Sequence, residues 1–95
     1  MTDQEFRNGD QIVASTDLLT TRVDGEVMAM SVERGACYGL DPIGSRIWEL
    51  VETPITVADL VARLTQEYDV DAEVCRTDVR ALLSSMEAEG MIRRL

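Results

Sequence analysis

The sequence predicts an α+β domain of winged-helix-turn-helix-like form, a three-stranded antiparallel sheet followed by three helices. Three observations predict it. Asp24-Gly25 separates two strand-like runs, Leu18 to Val23 and Glu26 to Ser31, and is a strong short hairpin signal. Three helix starts then follow in order, at Asp41-Pro42, at Thr56-Val57-Ala58-Asp59 and at Asp71. No repeat, linker or low-complexity tract interrupts that order, so the 95 residues make one domain around one core.

Met1 to Asp10 is polar with Phe6 as its only anchor, and residues 1–14 are expected to form a partly mobile N-terminal segment, Ile12 and Val13 adding a little extended structure. The domain proper is expected over 15–95. A two-residue turn at Asp24-Gly25 opposes Val23 to Glu26, Thr21 to Met28 and Leu19 to Met30. Leu19, Thr21, Met28 and Met30 then share a face, which is taken as the core side. The chain turns back through Val32-Glu33-Arg34-Gly35 into a third strand, Ala36 to Leu40. A four-residue loop would set Cys37 and Gly39 on the core face; a three-residue loop with Gly35 in a bulge would set Tyr38 and Leu40 there. The second register buries more apolar surface and is preferred.

Asp41 caps a first helix with Pro42 at its first position, and Ile43, Ile47, Leu50 and Val51 form its packing face, with Trp48 at the margin. Thr56 and Asp59 read as a capping box for a second helix, striped by Leu60, Val61 and Leu64 and ending near Tyr68. The third helix runs from its cap at Asp71 to Glu89 and stops at Gly90, leaving Met91 to Leu95 to fold back. Cys75, Val79, Leu82 and Met86 make its central stripe, with Leu83 on one shoulder and Arg76 and Arg80 beyond it; Val74, Asp78 and Ala81 lie toward the other.

Eighteen acidic against nine basic residues give a net charge of -9, which argues against phosphate neutralisation and so against nucleic acid as a partner. No run approaches the ~20 apolar residues of a membrane span. Met-Thr-Asp-Gln-Glu lacks a secretory signal's basic and apolar regions, so a cytoplasmic location is expected. Without histidine there is neither a Cys-His pair nor a zinc-ligand spacing, and Cys37 and Cys75 are expected as reduced thiols. No phosphate loop or nucleophile elbow occurs. The expectation is a binding protein with no cofactor rather than an enzyme. One exposed strand edge beside an amphipathic helix suits an extended peptide, added as a further strand.

Val23-Asp24-Gly25-Glu26, Gly35-Ala36-Cys37-Tyr38-Gly39-Leu40-Asp41-Pro42-Ile43-Gly44 and Ile47-Trp48-Glu49-Leu50 resemble the PqqD-like family. So do Thr56-Val57-Ala58-Asp59-Leu60, Tyr68-Asp69-Val70, Asp78-Val79 and Glu89-Gly90-Met91, and the resemblance covers about Ser15 to Leu95. Two positions depart from the family pattern: Cys37 stands where an aromatic is usual, and Asp41 replaces the commoner asparagine. The resemblance implies a recognition element for ribosomally synthesised, post-translationally modified peptides (RiPPs). Such an element binds the leader of a precursor peptide as a strand added to the third strand, against the third helix. It implies presentation of that leader to a separate leader peptidase or modifying enzyme, in the style of lasso-peptide pathways. An exposed edge can also pair with itself, so a monomer or weak dimer is expected. Carried over by position, Ala36, Cys37, Tyr38, Gly39 and Leu40 give the backbone pairing, and Arg76, Asp78, Val79, Arg80, Leu82 and Leu83 the helix wall. The alternatives are a peptide chaperone for a radical SAM enzyme and a winged-helix DNA-binding regulator.

Overall fold

The computed structural model describes residues 6–95. In order it comprises β1 (Gln11–Ala14), β2 (Leu18–Val23), β3 (Glu26–Ser31), β4 (Ala36–Gly39), α1 (Pro42–Leu50), β5 (Ile55–Thr56), α2 (Val57–Glu67), α3 (Ala72–Ala88) and β6 (Ile92–Arg94). The strands form two antiparallel sheets, β2-β3-β4 and β5-β1-β6. The first sheet and the three helices match the predicted α+β class; the second sheet is additional.

The β2–β3 hairpin has the predicted register, with Val23 opposite Glu26 and Leu19 opposite Met30. Asp24 and Gly25 take φ of 54° and 84°, as a turn with two left-handed central residues requires. The core side, however, is the other face. Val27, Ala29 and Ser31 are buried, whereas Leu19 and Met30 are 62% and 48% exposed. The reason is the closeness of α1, which buries Gly44 and Ser45 against this sheet. Small side chains on β3 admit that approach, and bulky Met and Leu are turned away.

Ser31 pairs with Ala36, so the β3–β4 loop holds four residues, not three. Gly35 takes φ of 64° within it, and Ser31 Oγ accepts a hydrogen bond from Arg34 N–H. Tyr38 nevertheless lies on the core side, opposite Ala29, and packs with Leu40 against the core. The preferred register and the assumed core face are both corrected, and the two corrections cancel for Tyr38.

The helix caps stand where the sequence puts them. Asp41 Oδ1 accepts from Gly44 N–H at 2.7 Å, Thr56 Oγ1 from Asp59 N–H at 3.1 Å, and Asp71 Oδ1 from Glu73 N–H at 2.9 Å. Trp48 is buried in the core rather than at its margin, and Ile43 is 45% exposed. Ser45 ties α1 to the sheet: its hydroxyl accepts from Val27 N–H at 2.8 Å and donates to Leu40 C=O at 3.2 Å.

The boundary expected before Ser15 divides nothing in the fold. β1 is the middle strand of the second sheet, and Phe6 and Ile12 are buried in the common core. The Arg94 guanidinium lies 3.8 Å over the Phe6 ring and pairs with Glu87 on α3. The expectation for residues 1–5 lies outside the described residues.

A chain of charges runs across the fold from Arg22 on β2 to Glu49 and Arg46 on α1 and on to Glu67 of α2. Arg46 reaches Glu67 through two hydrogen bonds of 2.7 Å. That contact holds the Glu67 carboxyl below its ordinary value and the guanidinium above its own. A lowered folded value means stability present above the unfolded carboxylate value and lost as pH falls through the folded one. Glu67→Gln is expected to flatten the acid limb of a plot of melting temperature against pH, with little change in the basic limb.

Candidate functional site

In the first sheet β3 is central and β4 is an edge. Leu40 N–H donates to Val27 C=O at 2.9 Å, which sets the phase of the ladder. Antiparallel pairs alternate, so Ala36, Tyr38 and Leu40 turn their backbone groups toward β3. Cys37 and Gly39 turn theirs outward, to the open edge. A strand added there would pair with those two residues.

From Tyr38 to Asp41 this edge tracks α3 backward from its end. The Tyr38 hydroxyl donates to Glu89 Oε1 at 2.9 Å, and that bond raises the phenol above its ordinary value. Arg34 stands 3.9 Å from the same carboxylate. These contacts tie the edge strand to the C-terminal end of α3. At the other end of that edge Asp41, Ile43 and Gly44 meet Asp78, Val79 and Leu82 around a cavity of about 340 Å³. Ile47 from α1, Leu64 from α2, Tyr68 at the end of α2 and Cys75 from α3 also line it, and burial pushes the Cys75 thiol up. Its volume falls within the ~300–1,000 Å³ of small-ligand pockets.

The expected wall residues divide by flank. Asp78, Val79 and Leu82 line this cavity. Leu83 is 0% exposed and takes the centre of the stripe in place of Leu82. At 3.6 residues per turn, Arg76 lies roughly 120° and Arg80 roughly 160° around the helix from Leu82, away from β4. Arg76 pairs with Glu73, and Arg80 lines a separate shallow depression with Thr77, Ala81 and Ser84. The stripe's centre sits one residue on because α3 packs through Leu83 as well as Val79 and Met86.

Residues not anticipated for the site are Val74, Val70 and Ile43, exposed at 57%, 43% and 45% around the mouth. Their signal was available: Val74 shares the shoulder of α3 that carries Asp78. Against a nucleic acid, α3 would present three acids, Glu73, Asp78 and Glu87, and two arginines. Among the described residues no group of three or more His, Cys, Asp or Glu side chains is placed to hold a metal ion. No helix among them is long and apolar enough to cross a membrane.

The complex of TbiB1 with the TbiA(beta) leader peptide superposes on this fold with a TM-score of 0.79, at 28% identity, over 85% of this chain and 94% of that one. A lasso peptide synthetase B1 complexed with a leader peptide gives 0.77 at 21% identity, over 86% and 96% of the two chains. The solution structure of the PqqD truncation of Methylobacterium extorquens PqqCD, a stand-alone RiPP recognition element, gives 0.76 at 18%, over 93% and 94%. At their lower identities the last two share the fold. No curated protein sequence matches the chain significantly. The profile of coenzyme PQQ synthesis protein D matches residues 26–92, from the start of β3 through the edge strand and α3 into β6, and on that match the chain belongs to the PqqD family.

Proposed function

We propose that the chain binds the leader segment of a ribosomally made precursor peptide and presents it to a separate leader peptidase or modifying enzyme. The reading is non-catalytic, and the pathway style it favours is lasso-peptide biosynthesis in the cytoplasm. The observation that carries it is the outward-facing backbone of Cys37 and Gly39 beside an apolar cavity, in a chain 28% identical to TbiB1, a protein that binds a leader peptide. The leader adds as a strand along Ala36 to Leu40. Its side chains alternate, so one set enters the groove and a bulky apolar residue fills the cavity above Leu82 and Val79. Asp41 and Asp78 at the mouth favour a lysine or arginine near that anchor. Main-chain pairing plus such an anchor supports micromolar or tighter binding.

The test is backbone amide exchange with and without a synthetic leader peptide. Ala36, Tyr38 and Leu40 are already turned to β3, so their protection changes little; Cys37 and Gly39 exchange fast alone and slow sharply when the leader binds. Tight leader binding with no slowing at Cys37 and Gly39 would sink strand addition at β4.

A further inference from the structure

The first sheet carries apolar side chains on both faces. Its outer face carries Leu19, Thr21 and Val23 from β2, Met28 and Met30 from β3, and Cys37 from β4. Leu19, Val23 and Met30 are 62%, 54% and 48% exposed, and Cys37 is exposed as well. A one-sided antiparallel sheet ordinarily turns polar residues to water. Here the only charge in the strands of that face is Glu26, at the turn end. Flexible methionine side chains suit a surface that must adapt to a partner.

We infer that this outer face, widened by the bound leader strand, is the docking surface for the folded enzyme that acts on the precursor. The inference rests on the leader-binding reading. Continuity supports it: Cys37 and Gly39 belong both to the peptide-binding edge and to this face, so every second side chain of an added strand extends the same surface. Charge gives the partner's chemistry. Arg22 and Arg34 turn inward to Glu49 and Glu89, while Asp17, Asp24, Glu26 and Glu33 are exposed at the two ends of the sheet. A matching surface has an apolar centre and a lysine- or arginine-bearing rim.

Size decides against a stable dimer through this face. Three strands of at most six residues span roughly 20 by 14 Å, about 300 Å², well under the ~800 Å² per partner of a stable interface. A fourth strand enlarges the face by about a third. Docking is therefore transient and stronger to the leader-loaded form.

The double variant Leu19→Thr/Met30→Thr tests this, since threonine keeps β propensity at exposed strand positions. A fluorescein-labelled synthetic leader, the purified processing enzyme and sedimentation of the chain supply the readouts. The variant is expected to bind leader within about twofold of wild type. Its association with the enzyme, and leader-dependent processing at limiting concentration, fall by about tenfold or more. Wild-type processing by the variant overturns the inference. So does a wild-type dimer that the variant dissociates, which would assign the face to a second copy. A wild-type chain that holds no leader instead sinks the binding reading, and this inference falls with it.

Discussion

Cys37→Pro is expected to lose leader binding by about 100-fold or more while the domain stays folded. The Cys37 N–H points away from β3, so proline there removes no bond of the existing ladder. Its fixed φ is compatible with extended backbone at an edge, and Ala36 before it is already in a strand. What it removes is one of the outward donors available to an added strand. A peptide carbonyl left unpaired costs about 1–3 kcal/mol. The ring also intrudes on the ~4.8 Å spacing an incoming strand needs, which disturbs the pairing at Gly39 as well. Tyr38→Pro, one residue on, is the contrasting case: its N–H is turned to Ala29, so proline breaks the β3–β4 ladder and the fold itself suffers. Fluorescence anisotropy with labelled leader and a thermal melt separate the two variants. Cys37→Ser, which keeps the N–H, should bind within about threefold of wild type. A folded Cys37→Pro variant that binds as tightly as wild type would place the peptide elsewhere.

What could be read from the sequence was what local chemistry dictates. Asp24-Gly25 set the hairpin register because two positive φ values in succession admit few residues. Asp41, Thr56 and Asp71 marked the helix starts because a side-chain oxygen reaches the orphan N–H groups wherever the helix goes. Which face of a strand or helix is buried depends on the neighbour that arrives. Hydrophobicity favoured Leu19 and Met30 for the core, but the close approach of α1 demanded Val27 and Ala29. The second sheet was hidden for another reason. Strands of four, two and three residues are too short for alternation to show, and β1 finds its partners more than forty residues away. Of the candidate site, the edge strand was legible as a continuous segment. The wall was half legible, because the flank of α3 that faces β4 is set by a rotation only packing determines.

That rotation makes Leu82 and Leu83, adjacent in the chain, respond in opposite ways. Leu83 is fully buried among the core residues of α3, so Leu83→Ala leaves a cavity costing about 2–5 kcal/mol. Against a total of about 5–15 kcal/mol, this lowers the melting temperature by roughly 10–30 °C. The fraction that remains folded keeps its groove and binds leader with nearly native affinity. Leu82 is only partly buried and lines the cavity, so Leu82→Ala costs about 1 kcal/mol of stability. It removes the wall on which the leader's apolar anchor rests, and affinity falls by about tenfold. Arg76→Ala and Arg80→Ala, on the far flank, leave affinity within about twofold. Melting curves and anisotropy titrations on the four variants give a pattern that no other orientation of α3 produces. Loss of binding in the arginine variants, with Leu82→Ala unaffected, would move the peptide to the opposite side of the helix.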